Sequence, residues 1–144
     1  MKLTPADKWF SKCVRERSRW TCELCGTHYP EGAAKGAYQG LDCSHMIGRG
    51  NWSVRFDANN AFAHCTACHF RFGADKELQT SHYMKVFGVY VYDILIQLKN
   101  DPKIGRIMRK RKKEIAKYYK EIFECMREKR KGGYMGRLEF PSAP

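Results

Sequence analysis

Two Cys-x-x-Cys pairs, Cys22/Cys25 and Cys65/Cys68, have the spacing in this 144-residue chain that most clearly predicts chemistry. Thiolates three positions apart can hold one ion from a tight turn, and two such pairs complete the tetrahedral four-sulfur shell that zinc accepts. A redox-active pair and chance spacing are the alternatives, but neither explains why there are two pairs. The pattern therefore predicts a structural Zn²⁺ site that joins two distant stretches of the chain.

The two cysteine pairs enclose 39 residues, which is longer than the spacing of short zinc ribbons. The enclosed segment contains Asp42, His45 and Asn60, and His69 directly follows the second pair. An isolated histidine is usually structural. The placement of two histidines around the cysteine pairs is what makes them candidates for a site.

The elements that must position these residues form a predicted α+β fold. An N-cap threonine, a proline and an acid predict a helix over about 5–17. The next predicted elements are a short ribbon at 20–26, a Gly-, Ala- and Pro-rich loop at 27–40, a strand at 41–47, a turn, a second short strand at 53–56, and a helix that opens at the second cysteine pair.

The second half of the chain is predicted to be helical. Periodic apolar residues indicate helices over 75–86 and 90–99, and then one long helix over about 103–130 with a broad apolar stripe. The stripe favours packing against the domain or against a partner subunit, so a homodimer stays open. The Gly132-Gly133 pair ends the helix, and the residues up to Pro144 are predicted to be a mobile tail.

The charge of the chain predicts an anionic partner, with nucleic acid favoured over membrane. The net charge is +12, and residues 99–131 contain fourteen Lys or Arg against five Asp or Glu. A solvated helical face is the alternative explanation. The candidates for phosphate contact in this segment are Arg106, Arg109, Lys110, Arg111, Lys112, Lys113 and Lys117.

The cysteines and the apolar segments favour an intracellular location. Four of the seven cysteines have metal-ligand spacing, and Cys13, Cys43 and Cys125 remain as an odd number, which argues against a disulfide framework. The N-terminal residues lack the apolar core of a signal peptide, and no stretch has the ~18 apolar residues of a membrane span. We therefore expect a soluble protein that is not secreted.

The ordered motifs resemble those of the HNH, or ββα-metal, nuclease family in its zinc-stapled form. Within that family they are similar to the NinG/Rap recombination nucleases of lambdoid phages. The resemblance covers roughly residues 9–98. It depends on four motifs in this order: Cys22-Glu-Leu-Cys25-Gly26, Asp42-Cys-Ser-His45, Arg55-Phe56-Asp57-Ala-Asn-Asn60 and Cys65-Thr-Ala-Cys68-His69.

The resemblance implies a role for each residue of the site. His45 would be the general base, because a neutral imidazole with a pKa of about 6.5 can accept a proton from the attacking water. Asn60 would brace the loop, and His69 would hold one catalytic divalent cation, Mg²⁺ or Mn²⁺. Many family members have an Asp directly before the base, where this chain has Ser44. Asp42 would therefore be the second cation ligand only if the strand is kinked, and a turn or cap role is the alternative.

The resemblance, the charge pattern and the Gly132-Gly133 pair together give the expected domain organisation, and the resemblance implies the activity. A zinc-stapled ββα-metal core with flanking helices would occupy residues 1–98, a basic helical extension 99–131 and a flexible tail 132–144. The expected function is metal-dependent DNA endonuclease activity on branched recombination intermediates, in the cytoplasm of a bacterial host if the protein is phage-encoded. Flanking phosphates would contact Arg49, Arg55 and Arg71, although surface arginines without such a role are common. The alternatives are a non-catalytic zinc module that binds nucleic acid, and a restriction or homing nuclease that cuts duplex DNA.

Overall fold

The computed structural model describes residues 2–31 and 40–144 and confirms a mixed helix and strand architecture. Residues 32–39 of the predicted loop lie outside the described part. The elements in chain order are α1 (Pro5–Arg17), β1 (Leu41–His45), β2 (Ala61–Cys65), α2 (Thr66–Ala74), α3 (Lys76–Val86), α4 (Val89–Lys99), α5 (Pro102–Lys110) and α6 (Lys112–Lys131).

Helix α1 begins and ends where the sequence predicts. The Thr4 hydroxyl accepts from the backbone N–H of Asp7, and the Asp7 carboxylate accepts from the backbone N–H of Thr4, so two otherwise unpaired donors are satisfied. The apolar face of α1 packs against α6, where the Phe10 ring lies 5.1 Å from that of Tyr119. The α6 part of the predicted apolar stripe is therefore a packing face within the molecule, whereas Ile107 of α5 is exposed.

Strands β1 and β2 form an antiparallel hairpin with Leu41 opposite Cys65 and His45 opposite Ala61. The strand predicted at 53–56 is wrong, because these residues form successive turns and the returning strand is Ala61–Cys65. Val54 and Phe56 resemble the alternating residues of a strand but are buried in two different hydrophobic clusters. Strand β2 is buried along its whole length and runs directly into α2.

The hairpin separates two hydrophobic clusters. One lies on the α1 and α6 side and includes Phe10, Leu41 and Tyr119. The other lies on the side of α2, α3 and α4 and includes Phe62 and Phe72. Successive residues of β1 point to opposite faces, so each strand residue contributes to one side only.

The predicted long C-terminal helix is two helices, because the backbone turns at Arg111 with φ −93° and ψ 19°. Five consecutive basic residues, 109–113, span this break, and like charges on adjacent turns disfavour a continuous helix.

The prediction of a mobile tail is also wrong. Leu138 and Phe140 are buried, and the Leu138 N–H donates to the Arg17 carbonyl over 3.1 Å.

None of the helices within the described ranges combines the length and apolar character that crossing a bilayer requires.

Candidate functional site

The four predicted cysteine ligands converge. The sulfur atoms of Cys22, Cys25, Cys65 and Cys68 all lie within 4.8 Å of one another, and the Cys25 and Cys65 sulfurs are 3.9 Å apart. A tetrahedral zinc site with Zn–S bonds of about 2.3 Å has S–S edges of about 3.8 Å. The donor set and its spacing therefore fit one structural ion that closes its own shell.

Local hydrogen bonds hold the two cysteine pairs in position. The Cys65 sulfur caps α2 by accepting from the Cys68 N–H, and the Gly26 N–H donates to the Cys22 carbonyl in a tight turn. Glu23, which the sequence did not single out, ties the first pair to β2: its N–H donates to the Ala63 carbonyl over 2.8 Å, and its carboxylate accepts from the Ala63 N–H over 2.7 Å.

Asn60 braces the loop between the strands, as predicted. Its side chain is fully buried, its amide donates to the carbonyls of Ile47 and Val54, and its oxygen accepts from the Ile47 N–H over 2.8 Å. The two ends of the loop are therefore joined through a single side chain. This fixes the backbone that leads to Arg55.

His45 lies at the end of β1 and is oriented by that loop. Its Nε2 atom is 3.0 Å from the Arg55 carbonyl. A carbonyl can only accept, so Nε2 carries the proton and Nδ1 is left as the basic nitrogen. Burial lowers the pKa of His45 to about 4, and the charge of Arg49 acts in the same direction. The ring is therefore neutral at physiological pH and can accept a proton at Nδ1.

Asp42 and His69, the two predicted cation ligands, are neighbours. His69 Nδ1 lies 3.0 Å from the Asp42 carboxylate, and the His69 side chain is 43% exposed against 16% for Asp42. The sequence did not decide whether Asp42 could share a cation with His69, because Ser44, which is not an acid, directly precedes His45. The geometry shows that the face shared by β1 and α2 brings both groups together without a kink.

His45 and the Asp42–His69 pair lie on opposite faces of β1. The His45 ring centroid is 5.9 Å from that of Phe10 on the α1 side, whereas Asp42 meets α2. Three residues along a strand span about 10 Å. Within the described ranges no hydrogen bond joins the base candidate to the candidate cation ligands, so any common substrate must reach both faces.

The predicted phosphate-binding role of Arg55 is wrong. Its side chain is 1% exposed, and its guanidinium lies 2.7 Å from the Asp7 carboxylate in a buried ion pair. Burial alone would raise the pKa of Asp7, but the hydrogen bonds from Arg55 and Thr4 hold it below its ordinary value. Arg49 is half-buried beside His45, and Arg71 is exposed on α2, so both stay candidates for phosphate contact.

Most of the α5 and α6 residues that were predicted to contact phosphate are presented to solvent. One predicted contact residue, Arg111, is half-buried and engaged, because its guanidinium lies 2.9 Å from the Glu114 carboxylate and donates to the Pro144 carbonyl. The other predicted residues are exposed: Arg106, Arg109, Lys110, Lys112, Lys113 and Lys117.

A buried histidine pair behind the hairpin was not predicted. The Nε2 atoms of His64 and His82 are 3.1 Å apart, so one ring donates to the other, and both rings pack on Phe62. Burial lowers the pKa of His64 to about 3. The only sequence signal was the position of His64 before a cysteine pair, which does not reveal its partner on α3.

No family model matches this chain, and comparisons with curated proteins and with solved structures gave no significant match.

Proposed function

We propose that the chain is a metal-dependent DNA endonuclease of the HNH type that hydrolyses phosphodiester bonds. The observation that carries the proposal is the hydrogen bond between His45 Nε2 and the Arg55 carbonyl, because it fixes the tautomer in which Nδ1 is the basic nitrogen, while burial keeps the ring neutral. The order of β1, β2 and α2 around the cysteine cluster also agrees with the resemblance of the motifs. Structural Zn²⁺ in the four-cysteine cluster would hold these elements together.

In the proposed reaction each residue has one task. His45 Nδ1 accepts the proton of the water that attacks phosphorus. Asn60 holds the loop whose Arg55 carbonyl fixes the ring and its tautomer. Asp42 and His69 would hold Mg²⁺ or Mn²⁺, and a bound cation of this kind would neutralise the charge on the leaving oxygen.

The placement of the substrate follows from the edge of β1 that does not pair with β2. The residues of β1 are buried or half-buried. Within residues 2–31 and 40–144, β1 pairs with β2 on one side only. A phosphodiester that lies along the outer edge of β1 would meet His45 on one face and the Asp42–His69 pair on the other. The exposed basic residues of α5 and α6 would then bind the flanking phosphates. Contacts of this kind suit cutting that depends on DNA structure, such as cutting of branched recombination intermediates, because they do not read bases.

The first test is cleavage of plasmid, branched and single-stranded DNA with Mg²⁺, and with EDTA in place of the metal. We expect His45→Ala to remove at least about two orders of magnitude of the rate, which is the usual contribution of a general base. His28→Ala is the matched control, since His28 is an exposed histidine of the first cysteine turn and should leave cleavage intact. Full activity of His45→Ala would reject the assignment of the base.

A non-catalytic zinc module that binds nucleic acid is the second candidate. The observation in its favour is that His45 and His69 lie on opposite faces of β1. If the wild-type protein binds DNA but gives no metal-dependent product on any substrate, this candidate replaces the nuclease. A product from duplex DNA alone, at fixed sequences, would instead indicate a restriction or homing nuclease.

A further inference from the structure

A second feature of the structure is a cleft between the hairpin loop and the start of the basic helices. It has a volume of roughly 420 Å³, which falls within the range of about 300–1,000 Å³ that is usual for small-molecule sites. One wall is the loop at 50–53, and the other is formed by the end of α4 and by α5. The Asn51 amide donates to the Lys99 carbonyl over 3.2 Å, so the two walls are tied together.

The cleft combines an aromatic ring with positive charge. Trp52 is half-buried in one wall, and Arg106 and Arg109 of α5 line the other. The Arg109 guanidinium carbon lies 5.7 Å and the Lys112 nitrogen 5.8 Å from the Trp52 ring centroid. Cations at these distances are attracted to the face of the ring.

The two arginines of the cleft are available for a ligand. Both are exposed, and within the described part of the chain no carboxylate forms an ion pair with either. One acidic residue, Asp101, also lines the cleft, but its carboxylate accepts the N–H groups of Lys103 and Ile104 as the cap of α5. Its charge therefore offsets the helix N-terminus.

We propose that this cleft binds an unpaired nucleotide of a DNA strand. The base would displace Arg109 and Lys112 from above the Trp52 ring, and Arg106 and Arg109 would then bind the neighbouring phosphates. Stacking on an aromatic side chain requires a base whose face is exposed, and arginine binds phosphate through two parallel hydrogen bonds. A base inside a continuous duplex has both faces covered. The inference deepens the proposed function and rests on it, since it makes the unpaired strand at a branch the feature that the protein recognises.

The position of the cleft connects it to the proposed catalytic residues. The Arg55 guanidinium carbon lies 4.2 Å from the Trp52 ring centroid, and the Arg55 carbonyl is the group that holds His45. Trp52 also contacts Phe56 with ring centroids 6.0 Å apart, and Phe56 contacts Phe10 below His45. A nucleotide bound at Trp52 would therefore set the position of the DNA strand relative to His45, the proposed general base.

The test compares two labelled DNAs with equal numbers of phosphates, a blunt duplex and a duplex with an unpaired tail. Kd is measured by fluorescence anisotropy in EDTA, so that cleavage does not contribute. We expect the wild-type protein to bind the tailed DNA roughly fivefold or more tightly, which is the lower end of what one stacked base contributes. Arg106→Gln with Arg109→Gln should bring the ratio of the two Kd values close to one.

The control is Lys113→Gln with Lys117→Gln, which removes the same charge from exposed positions of α6 outside the cleft. It should weaken binding of both DNAs equally and leave the ratio unchanged. Trp52→Leu should also lower the ratio, with folding checked by circular dichroism. If Trp52→Leu does not fold, the arginine pair alone decides the question.

Three outcomes would overturn the inference: a wild-type ratio of one, an unchanged ratio in the arginine variant, or an unchanged ratio in folded Trp52→Leu. The outcome is separate from that of the nuclease proposal. If the protein prefers the tailed DNA but never cleaves, the nucleotide-binding cleft is supported and the endonuclease proposal is rejected. If it cleaves through His45 without that preference, the endonuclease is supported and the nucleotide-binding cleft is rejected.

Discussion

The protonation of His45 depends on two neighbours that are distant in the sequence. The Phe10 ring helps to bury it on the α1 side, and the Arg55 carbonyl accepts a hydrogen bond from the Nε2–H group. Burial opposes the charged form, so the pKa falls to about 4, whereas an unperturbed histidine has a value of about 6.5. The ring is thus held in the form that a general base needs over a wide pH range.

This environment predicts the pH dependence of cleavage. The fraction of neutral His45 stays near one as the pH falls through about 6.5, so the single-turnover rate constant should not decrease there, and the acidic limb should lie near pH 4. Circular dichroism at each pH would show that the protein remains folded. A limb near 6.5 would mean that the reacting histidine is solvated, or that another group is the base.

Some of these residue-scale features could be predicted from the sequence. The bracing amide of Asn60 was implied by the resemblance of the motifs to the HNH family, and its three loop contacts are present. The fate of Arg55 could not be predicted, because its partner Asp7 is 48 positions away and an arginine in a loop is usually exposed. The shielding of His45 by α1 is likewise a tertiary property.

The four-cysteine cluster joins three elements of the fold at one point. It connects the turn after α1 to the end of β2 and the start of α2, and the hairpin has only two strands. An isolated two-stranded hairpin is marginally stable in water. A metal at this point would therefore supply folding energy to β2 and α2 together.

We expect one Zn²⁺ per chain in the wild-type protein, and we expect Cys65→Ser to lose both the metal and cooperative unfolding. Metal content measured by mass spectrometry of the purified protein, together with urea unfolding, checks both effects. Cys125→Ser is the matched control, because Cys125 is exposed on α6 and away from the cluster. Wild-type stability in a metal-free Cys65→Ser protein would contradict a structural role for the ion.

The C-terminal segment closes the other side of the core. Phe140 is 6% exposed, and its ring centroid lies 6.2 Å from that of Phe10 and 6.0 Å from that of Tyr119. Phe140→Ala should lower the free energy of unfolding by about 3–5 kcal/mol, as is usual when a buried phenylalanine is truncated. Met135→Ala, at a position that is 62% exposed, should change it by less than about 0.5 kcal/mol. Equal midpoints in urea for the two variants would show that the segment does not contribute to the core.

Most helices with a periodic apolar face were predicted well, although the break at Arg111 was missed, and elements with short apolar runs were not predicted. The boundaries of α1 follow from Thr4 and Pro5, and α3 begins after its Asp75 cap. Strand β2 was not predicted, because its residues are buried on both faces and show no alternation. Its sequence could therefore not be told apart from that of the following helix. The tail was missed because two buried residues, Leu138 and Phe140, are too few to form a recognisable pattern.

Across the whole molecule, the charge is distributed so that packing and the proposed nucleic-acid contact would use different faces of the same helices. In α6, Ile115, Tyr119 and Met126 are buried against α1, while Lys113 and Lys117 face solvent. Residues 99–131, with fourteen Lys or Arg against five Asp or Glu, supply most of the net charge of +12. Association with DNA should accordingly depend steeply on salt, because each phosphate that is neutralised releases counterions.

Lys113→Gln combined with Lys117→Gln should reduce the slope of log Kd against log salt concentration by up to about 2, since each phosphate contact contributes about 0.9. Anisotropy titrations of one blunt duplex over a series of salt concentrations measure the slope. Lys76→Gln with Lys85→Gln removes the same charge from exposed positions of α3 and should leave the slope unchanged. If both pairs lowered the slope equally, binding would depend on the net charge of the protein and not on a surface of α6. That result would reject the basic helices as the DNA-binding surface.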